Sequence, residues 1–129
     1  MGTKVILDTS VLIGHIRNKN KHDTLFSKII HLHKPLISEI TAFELLIGKT
    51  VANQDFIESI LKNIEHLPFN HSSKLKAVEI YVDLKKRNKL IQPPDIFIAA
   101  TALSLNIPLA THNIKHFSRI EGLQFFSYL

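Results

Sequence analysis

The sequence predicts an α/β fold in which a parallel sheet of about four or five strands is flanked by helices within a single domain. Short aliphatic stretches alternate along the chain with segments whose apolar residues recur at helical spacing. The first stretch, Val5-Ile6-Leu7, is apolar at consecutive positions, as in a central parallel strand covered on both faces. A chain of 129 residues suits one hydrophobic core, so one domain is expected over residues 1–129.

The remaining elements follow from apolar periodicity, capping residues and helix breakers. Helices are predicted over residues 10–18, 23–33, 40–49, 55–65, 72–89 and 95–105. Strands or extended pieces are predicted over residues 5–7, 36–38, 66–69, 108–111 and 123–128. Lys34-Pro35 is expected to stop the second helix and Asn106 the last one.

Two of these helices are predicted from apolar repeats, and the repeat of the first is expected to face the core. In the helix over residues 40–49 the repeat is Phe43, Leu46 and Ile47. In the helix over residues 72–89 it is Leu75, Val78 and Val82, with Tyr81 beside them. The first repeat has i, i+3, i+4 spacing and the second i, i+3, i+7, both typical of an amphipathic helix.

Composition excludes several classes of site. There is no cysteine, so disulfides, a thiolate nucleophile and a Cys-built zinc site are excluded, and metal ligands must be oxygen or imidazole. No apolar run approaches the ~18 residues of a membrane span, and the first residues lack the layout of a secretory signal. We therefore expect a cytoplasmic protein without a membrane partner.

The charge balance is basic. Sixteen Lys and Arg against eleven Asp and Glu give a formal charge of +5 and a pI near 9.6. This balance favours a polyanion as a partner, although many basic domains bind none. The basic residues cluster at Arg17, Lys19, Lys21 and over residues 85–89, and each cluster follows a helical segment. The alternative is that they only complement helix dipoles.

Three carboxylates are candidates for a common site. Asp8 ends the first strand, where open α/β sheets place their ligands. Glu44 shares a helix face with Ile40 and Ile47, and Asp95 lies in the first turn of its helix. For Asp8 and Asp95 the alternative is helix capping. Glu44 is harder to dismiss, because a buried acid needs a partner.

If the three carboxylates meet, electrostatics decides what else the site contains. Two carboxylates ~4 Å apart repel by about 4 kcal/mol at an effective dielectric near 20, so the cluster requires a cation. No Lys or Arg is adjacent to these positions in sequence. An all-oxygen site suits Mg²⁺, or Mn²⁺, which can activate a water for phosphodiester hydrolysis.

At this point the sequence resembles PIN domains, and more narrowly the VapC-type toxin ribonucleases of bacterial and archaeal toxin-antitoxin pairs. Four segments carry the resemblance: Val-Ile-Leu-Asp-Thr-Ser over 5–10, Ser-Glu-Ile-Thr-Ala-Phe-Glu-Leu over 38–45, Asp-Ile-Phe-Ile-Ala-Ala over 95–100, and Leu-Ala-Thr-His-Asn-Ile-Lys-His-Phe over 109–117. The resemblance implies a PIN-like parallel sheet and makes Asp8, Glu44 and Asp95 the acidic metal ligands. It also implies a cognate antitoxin and a homodimer.

The fourth segment departs from the family pattern. Asn113 stands where an Asp or Asn is usual, while His116 occupies the position expected for a further acid. We therefore expect one ion held mainly by three acids, with Asn113 orienting a water or ligand. Ser10 and Thr111 are candidates for hydrogen bonds to the acids, with local capping as the alternative.

The leading prediction is a Mg²⁺-dependent endoribonuclease that cuts single-stranded or loop RNA. Zinc chemistry is disfavoured, because His112 and His116 have i, i+4 spacing but lack the Glu of a zinc-protease motif. One alternative is a noncatalytic module whose acids bind a basic partner. Another is phosphotransfer through an aspartyl phosphate on Asp8, although Ser10 replaces the second Asp of that chemistry.

Overall fold

The strand β1 (Lys4–Leu7) lies inside a four-stranded parallel sheet in a computed structural model that describes residues 2–127. The other strands are β2 (Lys34–Ser38), β3 (Glu65–Leu67) and β4 (Leu109–Ala110), in the order β3-β2-β1-β4. Ile6 is in register with Leu36 on one side and Leu109 on the other. Val5, Ile6 and Leu7 are fully buried, so the prediction of a central strand covered on both faces is confirmed.

Seven helices flank the sheet within the described residues. They are α1 (Thr9–Arg17), α2 (Leu25–Leu32), α3 (Glu39–Ile47), α4 (Gln54–Asn63), α5 (His71–Lys86), α6 (Pro93–Leu105) and α7 (Ile114–Phe117). A short 3-10 helix, Lys21–Asp23, precedes α2. Side chains that accept a backbone N–H begin three of the helices: Thr24 for α2, Ser38 for α3 and Asn70 for α5.

The last long helix shows how local sequence sets its limits. Helix α6 begins at Pro93, where a missing N–H costs nothing. It ends at Asn106, which takes the left-handed conformation at φ 57°. Asparagine tolerates this conformation, which ends the helix and turns the chain toward β4. The predicted stop at Asn106 is confirmed.

The two faces of the sheet bury two separate clusters. Ile6 and Leu36 pack against α5, α6 and α7, where Phe117 is fully buried. Val5 and Leu7 pack against α1, α2 and α4 on the opposite face. This alternation along β1 follows from the two-residue period of a strand. The resulting α/β layering confirms the predicted fold class.

The structure corrects the predicted sheet at its ends. The predicted strand over 123–128 is reduced to a single parallel bridge between Phe125 and Leu109, and Tyr128 lies outside the described residues. Strand β2 begins at Lys34 rather than at 36, because Pro35 is tolerated near the start of a strand. Strand β3 ends at Leu67, and the short helix α7 was not predicted.

The predicted inward face of α3 is wrong, and the apolar repeat that predicted α5 also lies on the exposed side of its helix. Phe43, Leu46 and Ile47 are 60%, 51% and 70% exposed, and α3 instead buries Thr41, Ala42 and Leu45. Likewise, Leu75, Val78, Tyr81 and Val82 of α5 are exposed, whereas Ser73, Ala77, Ile80 and Leu84 are buried. The buried faces of these helices include small side chains, so the apolar repeat of each helix marks its exposed side.

No helix between residues 2 and 127 has both the length and the apolar character needed to cross a membrane.

Candidate functional site

The candidate site lies at the carboxyl edge of the sheet, where β1 and β4 end side by side. The backbone N–H of Asp8 donates to the carbonyl of Ala110 over 2.9 Å, so the residues that follow the two strands are brought together. These residues are Asp8 and Thr111. Helix α3 starts directly after β2, the neighbour of β1, and carries Glu44 to the same region. Parallel strands thus gather residues from distant parts of the chain.

Asp8 is 2% exposed and is held by two hydroxyl groups. Its Oδ2 accepts a hydrogen bond from Ser10 Oγ over 2.6 Å and another from Thr111 Oγ1 over 2.8 Å. Asp8 occupies the N-cap position of α1, yet its side chain makes no capping bond. Within the described residues no donor contacts its Oδ1. Capping therefore does not account for this buried carboxylate.

Glu44 is half-buried and accepts a hydrogen bond from Thr9 Oγ1 on its Oε1, over 2.5 Å. The Thr9 hydroxyl also lies 3.1 Å from Thr41 Oγ1, and Thr41 is fully buried. No donor contacts Oε2 of Glu44 in the part of the chain that the structure describes. Neither threonine was singled out from the sequence. Their only sequence signal is the adjacency of Thr9 to Asp8.

Asp95 is half-buried in the first turn of α6, and its pKa is raised from 3.8 to about 6. Burial is the largest cause, and the charges of Asp8 and Glu44 raise the pKa further, while His116 opposes them. Both effects disfavour the ionised form. Asp8 and Glu44 therefore lie close enough to Asp95 for their charges to act on it.

No Lys or Arg in the described residues forms an ion pair with these acids. The ion pairs join Lys28 to Asp23, Lys34 to Glu65, Lys49 to Glu58, His66 to Glu39, Lys76 to Glu79 and Arg87 to Asp83. Ion pairing with lysine or arginine therefore does not relieve the repulsion, and the charge of His116 opposes it only as the smallest of the four causes.

Asp8, Glu44 and Asp95 do not form a complete metal site by themselves. Over residues 2–127 no group of three or more His, Asp or Glu side chains is placed so that all could hold one ion. However, Mg²⁺ commonly binds through one or two carboxylates and retains several waters. Asp8 Oδ1 and Glu44 Oε2 are free of protein donors, and Asp95 has no side-chain hydrogen bond within the described residues. This donor set fits a hydrated divalent ion.

The residues of the fourth segment lie at the rim. Asn113 and His116 are exposed, and the backbone N–H of Asn113 donates to Thr111 Oγ1 over 2.9 Å. The side chain of Asn113 makes no hydrogen bond within residues 2–127, and His116 acts on Asp95 only through its charge. The backbone N–H of His112 donates to Ser10 Oγ over 3.0 Å. The structure thus brings Asn113 and His116 beside the acids without direct hydrogen bonds to them.

Two of the basic side chains form hydrogen bonds with carbonyl or carboxylate groups of the protein. Lys21 Nζ donates to the carbonyls of His15 and Ile16 near the end of α1, over 2.7 and 2.6 Å. Arg87 binds Asp83 over 2.6 Å and also the carbonyl of Arg119. Lys21 therefore serves the end of α1, whereas Arg87 is engaged by a neighbouring carboxylate and a carbonyl distant in sequence.

An apolar groove of about 640 Å³ lies between α5 and α6 and contains none of the acids. Its lining includes Phe69, Val78, Tyr81, Leu90, Ile96 and Phe97. Such a groove suits apolar contacts with another molecule rather than carboxylate chemistry.

Comparison with known proteins adds a sequence family to this geometry. The family model described as "PIN domain" matches residues 5–123. "Ribonuclease VapC1" from Methanocaldococcus jannaschii is 33% identical over 120 residues, covering 92% of this chain and 82% of that protein. "tRNA(fMet)-specific endonuclease VapC" from Salmonella typhimurium is 29% identical over 127 residues, covering 94% of this chain and 95% of the relative.

Solved structures agree with the sequence comparison. DNA-bound VapBC from Salmonella typhimurium superposes with a TM-score of 0.83 at 27% identity, covering 96% of this chain and 97% of that chain. VapBC-1 from nontypeable Haemophilus influenzae gives a TM-score of 0.81 at 30% identity, covering 97% and 98% of the two chains.

Proposed function

This chain belongs to the PIN domain family, and from that membership we propose that it is a Mg²⁺-dependent endoribonuclease, the toxin of a toxin-antitoxin pair. Its VapC relatives named as ribonucleases match over nine-tenths of its length, which supports RNA as the substrate. The proposed nuclease domain spans residues 1–129.

One observation carries this proposal. Asp8 and Glu44 both raise the pKa of Asp95, and no lysine or arginine within the described residues pairs with any of the three. Repulsion between these carboxylates and Asp95 favours the binding of a cation between them. Because their donor atoms are all oxygens, the favoured ions are hard ones such as Mg²⁺ or Mn²⁺.

In the proposed mechanism, Asp8, Glu44 and Asp95 would hold the ion partly through its waters, because the three side chains are not placed to ligate one ion together. A bound Mg²⁺ supplies an activated water and a clamp on the phosphate oxygens. Ser10 and Thr111 fix Asp8 through its Oδ2, which leaves Oδ1 available. The amide of Asn113 is free to orient a water or a phosphate oxygen beside the acids. His116 contributes positive charge near Asp95 when protonated, and its exposure lets it contact RNA.

RNA binding requires cations beyond the acidic site, because the substrate backbone is anionic. Lys85 and Lys86 end α5, and Lys89 follows it. Arg17, at the end of α1, and Lys19 are further candidates. Lys21 and Arg87 are weaker candidates, because carbonyls and Asp83 already engage them.

Two protein partners complete the proposal. Solved neighbours are VapBC complexes, which supports a cognate antitoxin for this chain.

The second partner is another copy of the chain, bound through α5. Leu75, Val78 and Val82 form an exposed stripe along α5, beside the apolar groove. A single helical stripe can pair with itself across a two-fold axis, as homodimer interfaces do.

A noncatalytic acidic module is the second candidate, and one observation favours it. No three acidic or histidine side chains of residues 2–127 form a ready metal cage. In that case the carboxylates would bind a basic partner peptide instead of an ion. Phosphotransfer through Asp8 is a weaker alternative, since Ser10 and Thr111 already occupy one oxygen of its carboxylate.

RNA cleavage by the purified chain tests the proposal. We expect Mg²⁺-dependent cutting of single-stranded RNA that is lost on addition of EDTA and in Asp8→Asn. Asp55→Asn is the matched control, because Asp55 is an exposed acid in the first turn of α4, away from the site. Equal cleavage by wild type and Asp8→Asn would refute the assignment. Tight binding of a basic peptide without Mn²⁺ binding would favour the noncatalytic module.

A further inference from the structure

Thr9 makes the contact with Glu44 although the two residues are 35 positions apart. Thr9 is the first residue of α1 and directly follows Asp8, while Glu44 lies in α3. Its hydroxyl is therefore a link between the strand end that carries one acid and the helix that carries another. The contact is the sole hydrogen bond to the Glu44 carboxylate from the described residues.

The direction of this hydrogen bond follows from proton counting. The Thr9 hydroxyl lies 2.5 Å from Glu44 Oε1 and 3.1 Å from Thr41 Oγ1. A hydroxyl carries one proton, and a carboxylate is the stronger acceptor, so Thr9 donates to Glu44. Thr41 Oγ1 is a second, longer acceptor for the same Thr9 hydroxyl. Ser38 Oγ lies 3.4 Å from Thr41 Oγ1 and extends the chain of hydroxyl groups.

Helix capping does not explain the Thr9 hydroxyl. The N-cap of α1 is Asp8, and the first backbone bond there runs from Val11 N–H to the Asp8 carbonyl over 3.0 Å. Thr41 is anchored separately, because its backbone N–H donates to Ser38 Oγ over 3.1 Å. The Thr9 side chain is thus committed to Glu44 and to the buried Thr41.

We propose that Thr9 is a positioning residue that fixes Glu44 for a divalent cation by holding Oε1 and leaving Oε2 open. This inference rests on the proposed metal-dependent function. A free glutamate side chain loses rotamer freedom when it binds an ion. A hydrogen bond that orders the carboxylate beforehand reduces that loss, as partners of metal ligands do elsewhere. The buried Thr41 lies beside Thr9 and accepts the longer branch of its hydrogen bond.

Mn²⁺ binding to the full chain without RNA, measured by isothermal titration at pH 7.5, tests this role. Thr9→Val keeps the shape of the side chain and removes the donor, so it should weaken Mn²⁺ binding by about 10-fold. Thr9→Ser keeps the hydroxyl and should restore affinity to within about 3-fold of wild type. Thr101→Val is the matched control, since the buried Thr101 hydroxyl donates to Phe97 in its own helix. It should bind Mn²⁺ like the wild type.

The outcomes separate this inference from the proposed function. Wild-type affinity in Thr9→Val would overturn the positioning role and leave the nuclease proposal intact. Equal losses in Thr9→Val and Thr9→Ser would also overturn it, since the hydroxyl would then not be the cause. Absence of Mn²⁺ binding by the wild type would refute the proposed function and, with it, this inference. Thermal melts of each variant identify any loss caused by unfolding.

Discussion

Thr111 and Asp8 are joined by a 2.8 Å hydrogen bond although 103 positions separate them in the sequence. The bond exists because β4 pairs with β1 in parallel, which places the residues after both strands at one edge of the sheet. Thr111 also receives the backbone N–H of Asn113. One threonine thus connects the first acid to the segment that carries Asn113 and His116.

Thr111→Val should therefore destabilise the protein. Asp8 is almost completely buried, and the substitution removes one of the two donors to its Oδ2. Loss of a hydrogen bond to a buried charged group costs about 1–3 kcal/mol. Urea unfolding at pH 7 measures the change, and Thr111→Ser, which keeps the hydroxyl, serves as the control. Equal stability of Thr111→Val and the wild type would show that this bond contributes nothing.

Asp95 should make the stability of the metal-free protein depend on pH. Its pKa rises from 3.8 to about 6 on folding, so the fold favours the protonated carboxyl. This contribution is complete below pH 3.8 and is lost as pH rises through about 6. Asp95→Asn removes it, so the variant should gain stability over the wild type across that window. The gain is on the order of 1 kcal/mol once solvent screening of a half-exposed group is counted.

Urea unfolding of the wild type and Asp95→Asn in EDTA, at several pH values between 4 and 7.5, checks this expectation. Asp55→Asn again provides the matched control, because Asp55 is exposed and lies outside the site. A constant difference between wild type and Asp95→Asn across the window would contradict the raised pKa.

Most of the fold was predictable because the signals are local. Val5-Ile6-Leu7 reads as a buried strand, and caps and breakers such as Asn106 set helix limits. It was harder to predict from the sequence which face of each helix is buried. In α5 the buried face consists of Ser73, Ala77, Ile80 and Leu84, so the larger apolar stripe on the other side dominated the pattern. Periodicity detects a helix but not which neighbour each face meets.

The candidate site was only partly predictable for a different reason. The three acids could be singled out from the end of the first strand, from two helices and from the segments that resemble PIN domains. Thr9 and Thr41 could not, since their roles depend on a contact between α1 and α3 that spans 32 positions or more. The four-residue helix α7 was missed because it is too short to show periodicity. A single buried side chain, Phe117, anchors it.

The exposed stripe on α5 leads to a prediction about assembly. Val78 is 55% exposed at the middle of the stripe formed with Leu75 and Val82. If this face joins two copies, Val78→Asp would bury an unpaired charge and should convert a dimer to a monomer. Sedimentation velocity at several concentrations measures this. Val51→Asp is the matched control, because Val51 is 89% exposed and lies between α3 and α4. A wild-type monomer, or a dimer that survives Val78→Asp, would contradict the assignment of this face.

The attachment of α7 gives the last prediction. Phe117 is fully buried against the α5–α6 side of the sheet, whereas Ile114 in the same helix is 47% exposed. Phe117→Ala should destabilise the chain by about 3–5 kcal/mol, because it removes a large buried side chain and leaves a cavity. Ile114→Ala should cost much less, since its side chain already contacts water. Chemical denaturation compares the two variants.

Because α7 carries His116 and begins next to Asn113, hydrogen exchange in Phe117→Ala should also show faster exchange at these residues than at β1. Slow exchange there, or similar costs for the two variants, would mean that α7 is held by contacts other than Phe117.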